Sequence, residues 1–132
     1  MSHENVELLK QGVEAFNRGD MDGMLPMGDP ELEFVTAGLF PGIAPIYRGH
    51  DGWVTFWRDF RETRESLSIE TNEFRDAGDR VVLLMTFDAR GRNGLEVHRK
   101  FATVWTVRDG LAVRIQAYGE WSAALEAVGL PH

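Results

Sequence analysis

Four long segments rich in strand-forming residues, separated by glycine-containing turns, make up most of the second half of the chain. The turns read Ala77-Gly78-Asp79, Gly91-Arg92-Asn93-Gly94 and Asp109-Gly110, and these residue types are typical of β-hairpins. Strands joined by such short turns pair with their sequence neighbours, so we expect a four-stranded antiparallel meander. The predicted strands are Leu67–Asp76, Arg80–Arg90, Leu95–Arg108 and Leu111–Gly119.

Helical periodicity dominates the first half of the chain and returns at its C-terminal end. A stripe of apolar residues predicts a first helix, and Asp20 is placed to cap a short second helix. A short strand over 31–35 and a proline- and glycine-rich loop over 37–49 follow. Asp51 is placed to cap a third helix, and a short last helix is predicted over 122–128. The apolar faces consist of Val6, Leu9, Val13 and Phe16 in the first helix and Trp53, Phe56, Trp57 and Phe60 in the third.

The order of these elements predicts an α+β fold in which helices lie on one face of an antiparallel sheet. We expect residues 1–132 to form a single domain, because the chain is too short for two ordinary domains and shows no repeat or linker. Its hydrophobic fraction of 43% is too high for a disordered chain.

Composition argues against several classes of partner and chemistry. The formal net charge is −7 and no basic run is present, so nucleic acid is not an expected partner. The longest apolar stretch, Val81–Met85, is far too short to span a membrane, and the N-terminus lacks a signal pattern, so we expect a cytoplasmic protein. The chain has no cysteine and no histidine spacing typical of metal ligands, so neither a metal nor a cofactor is expected.

The register of the last hairpin decides which side chains face the helices. A two-residue Asp109-Gly110 turn would place Trp105 on the same face as Arg114. A three-residue loop with Gly110 in a bulge would place it beside Ile115 instead, and we expect this register because it separates apolar from polar side chains more cleanly. The inner face then holds Phe101, Thr103, Trp105 and Val107 together with Leu111, Val113, Ile115 and Ala117.

With the same inner face, the predicted strand Arg80–Arg90 has an apolar outer face. The alternation places Val82, Leu84, Thr86 and Asp88 on the inner face and leaves Val81, Leu83, Met85 and Phe87 outside. Such a surface is unfavourable in water, so it predicts a partner. The simplest partner is a second copy of the chain, which gives a homodimer through the outer face of the sheet.

Motifs distributed along the whole chain resemble the SnoaL-like branch of the nuclear-transport-factor-like superfamily. They are Ala15-Phe16-Asn17-Arg18-Gly19-Asp20-Met21-Asp22, Tyr47-Arg48-Gly49-His50-Asp51-Gly52, Val104-Trp105-Thr106-Val107-Arg108-Asp109-Gly110, and Tyr118-Gly119-Glu120 followed by residues 124–130. The resemblance implies a strongly curved sheet wrapped around the N-terminal helices, with a cone-shaped apolar pocket. Some members are isomerases, cyclases, epoxide hydrolases or dehydratases, whereas others bind ligands.

The resemblance also shows which polar groups of those enzymes are replaced here. In the ketosteroid-isomerase-like members, the base carboxylate aligns with Phe34, the helix-one tyrosine with Gly12, and the acidic oxyanion donor with Thr103. A phenyl ring cannot abstract a proton, and a threonine hydroxyl is a much weaker donor than a protonated carboxyl. We therefore do not expect this chain to perform the reaction of those members in the same way.

Three other polar side chains are the candidates for catalysis. His50 and Asp88 could transfer protons, and Arg99 could orient an acidic group of the substrate. Each has a structural alternative, because His50 is placed to cap a helix, Asp88 lies near a solvated turn, and Arg99 could pair with an acidic side chain. Thr103 and Tyr118 are further candidates for orienting a substrate.

The side chains expected to line the pocket are mostly aromatic and aliphatic, which suits a flat apolar ligand. We expect binding, or cofactor-independent isomerase- or cyclase-type conversion, of a small hydrophobic molecule, with an acidic group if Arg99 contacts it. The alternative is a non-catalytic dimerisation or accessory module with a pocket filled by its own side chains. The expected lining residues are Phe16, Phe34, Trp53, Phe56, Trp57, Phe60, Val82, Leu84, Phe101, Thr103, Trp105, Ile115 and Ala117.

Overall fold

Four helices, one 3-10 turn and six strands form the structure, a computed structural model that describes residues 2–37, 43–62, 64–91 and 94–131. The elements are α1 (Ser2–Asn17), α2 (Met21–Met24), the 3-10 turn (Leu25–Met27), β1 (Gly28–Val35), β2 (Ile46–Arg48), α3 (Gly49–Glu62), β3 (Arg64–Ala77), β4 (Arg80–Gly91), β5 (Glu96–Arg108), β6 (Leu111–Tyr118) and α4 (Trp121–Ala127). Within the described ranges, none of the helices has the length and apolar character that crossing a membrane requires.

The six strands form one curved, open sheet in the order β2-β1-β6-β5-β4-β3. The predicted meander is confirmed, because consecutive strands from β3 to β6 pair antiparallel. β1 extends the sheet by pairing parallel with β6, and β2 pairs antiparallel with β1. β2 lies in the segment that was expected to be a loop. It was not predicted because a strand of three residues directly after Pro45 shows too little alternation to be detected.

Helices α1 and α3 cover the inner face of this sheet. α1 packs over β3 and β4, and α3 packs over β1, β2 and β3. The predicted apolar stripes form the contact, and Leu9 and Trp53 are almost completely buried. Asp20 caps α2 as expected, since its side chain accepts a hydrogen bond of 2.8 Å from the Gly23 N–H. α3 begins at Gly49, so Asp51, which was expected to cap this helix, lies within its first turn.

The last hairpin combines features of both predicted registers. Asp109 and Gly110 have φ angles of 53° and 77° and form a two-residue turn, so the three-residue loop is wrong. A bulge at Val113 then shifts the pairing, and Trp105 faces Ile115 as predicted. Because of this bulge, Ala112 rather than Leu111 joins the inner apolar cluster.

The predicted orientation of β4 is wrong. Val81 pairs with Trp105, Leu83 with Thr103 and Met85 with Phe101, so the odd-numbered residues of β4 face the helices. The physical reason is that β4 is apolar on both faces between Val81 and Met85, where all five residues are buried. A strand buried on both sides carries no alternation from which its orientation could be inferred.

Part of the outer face of the sheet, on β4, β5 and β6, is covered by α4. Ala124 and Leu125 of this helix pack against an outer cluster made of Val82, Leu84, Ala102 and Val104. The indole N–H of Trp121 lies 3.1 Å from the Met85 carbonyl oxygen and 2.9 Å from that of Phe101, and donates to both. The apolar residues assigned to a dimer interface therefore belong to the inner face, and the outer cluster is covered by the chain's own helix. The argument for a homodimer from an exposed apolar face does not hold.

Candidate functional site

An apolar cavity lies between the inner face of the sheet and helices α1, α2 and α3. The depression encloses about 620 Å³ including the solvent at its mouth, and the centre of a water molecule can occupy about 50 Å³ of it. Its walls come from three helices and from five of the six strands. The lining residues are Gly12, Val13, Phe16, Met24, Phe34, Phe56, Trp57, Ile69, Met85, Phe101, Thr103, Trp105, Ile115 and Ala117.

Aromatic rings from α1, β1 and α3 form one wall of the cavity. The ring centres of Phe16 and Trp57 are 4.1 Å apart, those of Phe34 and Phe56 are 4.4 Å apart, and those of Phe56 and Trp57 are 4.6 Å apart. Contacts of this kind contribute energy beyond simple area burial, and they hold the rings in defined orientations. The wall is therefore built by residues far apart in sequence, which come from the ends of α1 and β1 and from the middle of α3.

The opposite wall is formed by the inner faces of β4, β5 and β6. Trp105 contacts Trp53 edge to face, with ring centres 6.1 Å apart. Trp53 itself belongs to α3, is 1% exposed and is not among the lining residues. Phe101 packs edge to face on Phe87 at 5.5 Å.

Thr103 supplies the single side-chain oxygen among the described lining residues. It is 5% exposed, and its hydroxyl accepts a hydrogen bond of 2.8 Å from the Trp105 indole N–H. The hydroxyl donates to the Met85 sulfur at 3.5 Å. None of the described lining residues titrates near neutral pH.

Tyr47 supports the aromatic wall from behind. Its ring contacts Phe56 edge to face at 5.4 Å, and its hydroxyl accepts a hydrogen bond of 3.0 Å from the Ala44 N–H and donates one of 3.2 Å to an Asp59 oxygen. Burial is the main cause that raises the pKa of the Tyr47 hydroxyl above 10.0, and the Asp59 carboxylate raises it further. The hydrogen bond from Ala44 acts in the opposite direction.

Most of the residues expected to line the pocket do so, and the exceptions have distinct causes. Val82 and Leu84 lie on the opposite face of the sheet under α4, so their assignment is wrong. Trp53 is buried against Trp105 without lining the cavity, and the side chain of Phe60 lies outside the described residues. The predicted residues found at the cavity are Phe16, Phe34, Phe56, Trp57, Phe101, Thr103, Trp105, Ile115 and Ala117.

The three candidate catalytic residues do not meet at the cavity. The Nε2 of His50 donates a hydrogen bond of 2.7 Å to the Gly28 carbonyl oxygen and ties the start of α3 to β1. Asp88 lies exposed on the outer face of the sheet and pairs with His98 on the neighbouring strand, so its placement on the inner face is wrong. Arg99 is exposed and is not among the lining residues.

Tyr118, the further candidate for orienting a substrate, is separated from the cavity by the sheet. It packs with the outer cluster under α4, because its pairing with Ala102 places it on the outer face. Of the two residues considered for substrate orientation besides Arg99, Thr103 alone lines the cavity.

Several lining residues escaped sequence analysis. Met85 was assigned to the wrong face of β4, and Ile69 could be placed only once the register of β3 against β4 was known. Met24 belongs to a helix of four residues, which is too short for a helical stripe. Gly12 has no side chain from which a pocket position could be inferred, and the structure leaves no room for one, because a Cβ atom here would lie 2.1 Å from the Met27 sulfur.

The positions aligned with the polar groups of ketosteroid-isomerase-like enzymes all line the cavity. They hold Gly12, Phe34 and Thr103 in this chain. The cavity is thus where the resemblance places a reaction centre, but it lacks the carboxylate and the phenol at those positions. Within the described part of the chain, no three His, Asp or Glu side chains cluster as metal ligands do.

The fold is shared with solved structures of similar length. An NTF2-like protein of unknown function from Burkholderia pseudomallei K96243 is 26% identical, with a TM-score of 0.82 over 96% of this chain and 98% of that one. TerC, co-crystallised with polyporic acid, is 26% identical, with a TM-score of 0.80 over 95% and 98% of the two chains. A putative SnoaL-like polyketide cyclase from Jannaschia sp. CCS1 is 16% identical, with a TM-score of 0.77 over 99% and 95%, and shares the fold.

Sequence comparison identifies the family. No curated protein matches the chain. The SnoaL-like domain matches residues 9–115, which include α2 to β5 entirely and the lining residues of α1, and the match ends within β6. With the α+β architecture and the cavity between sheet and helices, this match shows that the chain belongs to the SnoaL-like domain family.

Proposed function

We propose that the protein binds a small, uncharged, hydrophobic molecule in the cavity between the sheet and the helices. The observation that carries the proposal is the chemistry of the wall, which consists of aromatic rings, aliphatic side chains and one hydroxyl among the described residues. Apolar cavities with one or a few polar groups are typical ligand sites. The co-crystal of TerC with polyporic acid supports the proposal, because it shows a related chain in complex with a small organic molecule.

Binding is favoured over acid–base conversion by the absence of titratable groups from the described wall. Isomerase- and cyclase-type reactions move protons, so they need a group of suitable pKa within hydrogen-bonding reach of the substrate. Phe34 and Gly12 stand where related enzymes carry such groups, and His50 is engaged with the Gly28 carbonyl. Turnover would therefore have to rely on the Thr103 hydroxyl, whose proton is not acidic enough for this work.

The proposed ligand is uncharged because no ionic side chain of the described wall could pair with a charge. A carboxylate buried among these rings would lose its hydration without compensation, which is strongly unfavourable. Arg99, the residue expected to bind an acidic group, is exposed outside the cavity.

The residual volume shows that the cavity is not completely filled by its own side chains. A cavity that admits the centre of a water molecule over about 50 Å³ is well above the roughly 10–15 Å³ that one water needs. Water inside such a wall would find few hydrogen-bond partners, so an apolar molecule is the more favourable occupant.

Filling the cavity tests the proposal. Ala117, on β6, is 2% exposed and lines the cavity, so Ala117→Leu would occupy part of the space that the ligand needs. We expect calorimetry to show binding of indane, a small uncharged hydrocarbon, and a Kd that is about tenfold or more higher in the A117L variant.

Ala123→Leu provides the matched control, because Ala123 is exposed on α4 and the same atoms are added far from the cavity. This variant should bind indane as the unmodified protein does. Should A117L overpack the core and fail to fold, Ala117→Val gives the smaller version of the same change. Equal indane affinity in a folded cavity-filled variant and in the A123L control would contradict the proposal.

A further inference from the structure

A polar cleft lies on the outer face of the sheet, on the opposite side from the apolar cavity. It is bounded by β4, β5 and β6 and by the C-terminal end of α4. The depression encloses about 340 Å³ including the solvent at its mouth, and the centre of a water molecule can occupy about 90 Å³ of it. The polar lining residues are Arg80, Thr106, Arg114, Gln116 and Tyr118.

Two arginines stand on either side of Thr106 in this cleft. Thr106 of β5 pairs with Arg80 of β4 and with Arg114 of β6. Because neighbouring strands lie about 4.8 Å apart, the Cα atoms of the two arginines are separated by roughly 10 Å. Residues directly opposite one another project from the same face of a sheet, and both arginines line the cleft. Their guanidinium groups can therefore reach a small group that binds between them.

The ion pair of Arg114 satisfies only part of its guanidinium group. Its Nε lies 3.4 Å from one oxygen of Glu33, and the other oxygen of this carboxylate lies 3.5 Å from the Nε of Arg48. Hydrogen bonds between a guanidinium group and a carboxylate are usually about 2.7–2.9 Å long. One carboxylate is thus shared at long distance by two arginines, and Arg114 retains positive charge and N–H groups for another acceptor.

Arg80 is also incompletely neutralised. Its Nη1 donates a hydrogen bond of 3.3 Å to the Ala127 carbonyl oxygen at the end of α4, and this bond directs the side chain into the cleft. Its Nε lies 3.9 Å from an oxygen of Asp79, which is longer than the Arg114 contact. No carboxylate is found among the described lining residues. The cleft therefore combines two guanidinium groups with no negative charge in its described wall.

The uncharged polar residues of the cleft are also available to a ligand. Thr106, Gln116 and Tyr118 are half-buried, and their side chains form no hydrogen bond with another residue in the described part of the chain. Hydroxyl and amide groups can donate to the oxygens of an anion. They add neutral donors to the two cationic groups.

We propose that this cleft binds an oxyanion between Arg80 and Arg114, supplied by a phosphate monoester or by the carboxylate of an organic acid. A guanidinium group can bind two oxygens of either anion at once. The net charge of the chain is −7, so anions are repelled by the molecule as a whole and the attraction is local to the arginines. This inference goes beyond the proposed function and does not depend on it, because the sheet separates the cleft from the apolar cavity.

The test uses nuclear magnetic resonance of the arginine Nε–H groups in protein labelled with ¹⁵N. Inorganic phosphate and sodium acetate are the two probes, each titrated at constant ionic strength so that screening does not change. The signals of Arg80 and Arg114 should shift with one common Kd. We expect millimolar affinity, since both side chains are partly exposed.

Two variants remove the charges one at a time, and a third provides the matched control. Arg80→Gln and Arg114→Gln should each raise the Kd of the bound anion by about tenfold or more. Arg90→Gln removes the same charge from an exposed residue near the other end of β4, where Arg90 pairs with Glu96. The R90Q variant should bind the anion with a Kd within about twofold of that of the unmodified protein.

The two probes identify the source of the anion. Tighter binding of phosphate than of acetate supports a phosphate monoester as the ligand, and the reverse order supports an organic acid. Unshifted Arg80 and Arg114 signals with both probes at about 50 mM would overturn the inference. It would also be overturned if R90Q weakened binding as much as R80Q and R114Q.

The readouts for the cleft and for the cavity are independent. Arg114 does not line the cavity, so R114Q should bind indane as the unmodified protein does. Failure of indane to bind the unmodified protein bears on the proposed function alone. Should R114Q not fold, Arg114→Lys keeps the charge and removes the fork of N–H groups, and an unchanged anion affinity in both R114K and R80Q would overturn the inference.

Discussion

The polar side chains inside the fold serve mainly to hold apolar ones in place. The Tyr47 hydroxyl contacts Ala44 and Asp59 and keeps its ring against Phe56, and the Trp105 indole is held by Thr103. His50 likewise links α3 to the Gly28 carbonyl. At this scale the cavity is an apolar surface whose aromatic rings are held by hydrogen bonds within and behind its wall.

Tyr47 predicts a specific loss of stability in alkali. Burial raises its pKa above 10.0 in the folded protein, so above that pH the unfolded chain releases its proton more readily than the native one. This contribution is complete below pH 10.0 and is lost as the pH rises towards the pKa of the folded state.

The measurement is the free energy of urea unfolding from about pH 8 to about pH 11 for the unmodified protein and for Tyr47→Phe. The variant should be less stable at pH 8, by about 1 kcal/mol for the lost hydrogen bonds, but its stability should fall less steeply above pH 10.0. Parallel curves for the two proteins would show that Tyr47 does not titrate differently in the native state.

At the scale of elements, α4 gives the sheet a second buried face, opposite the face that packs against α1 and α3. Leu125 is 3% exposed against the outer cluster, and the Trp121 indole reaches the carbonyls of Met85 and Phe101, whose side chains line the cavity on the other face. This short helix therefore covers an apolar surface and bonds to the strand pair that forms part of the cavity wall.

Removing the main apolar contact of α4 should destabilise the whole fold. Leu125→Ala leaves a cavity beside Val82 and Leu84, and we expect a loss of about 2–4 kcal/mol in the free energy of unfolding. Ala123→Ser, at an exposed position of the same helix, should change the free energy by about 0.5 kcal/mol or less. A loss below about 1 kcal/mol for L125A would mean that α4 is not firmly packed on the sheet.

The elements that could be predicted from the sequence are those with a local signal. The hairpin turns and the helical stripes carry local signals, so the order of helices and meander strands followed from them. Val82 and Leu84 were misplaced because β4 is buried on both faces, and only its pairing with β5 determines which residues face inward. The bulge at Val113 compensates for a two-residue turn, and no local signal for it was recognised before the register was known.

For the candidate site, apolar residues at helical spacing were a better guide to the cavity than titratable or charged residues. Phe16 of α1 and Phe56 and Trp57 of α3 line the cavity as predicted, because helical periodicity defines a face. The candidate catalytic residues were selected because they can carry a proton or a charge, and this property does not determine where a side chain points. They are His50, Asp88 and Arg99. Whether a polar residue points into a cavity depends on strand register and tertiary packing. The residues next to it in sequence do not determine either of these.

At the scale of the whole molecule, the curved sheet and three helices enclose a space that side chains do not fill. An unfilled apolar cavity costs stability, because its lining atoms lack partners. A molecule that occupies it stabilises the native state by mass action, by about 2.7 kcal/mol when its concentration is 100 times its Kd. Ligand binding and fold stability are therefore linked in this protein.

The methionine methyl groups provide the most direct test that an uncharged hydrophobic molecule enters this cavity. Met24 and Met85 line it, whereas Met21 packs at the edge of the core and is not a lining residue. In a nuclear magnetic resonance titration of protein labelled with ¹³C at the methionine methyls, indane should shift the Met24 and Met85 signals with one common Kd and leave the Met21 signal in place. Unchanged Met24 and Met85 signals at saturating indane would contradict the central claim.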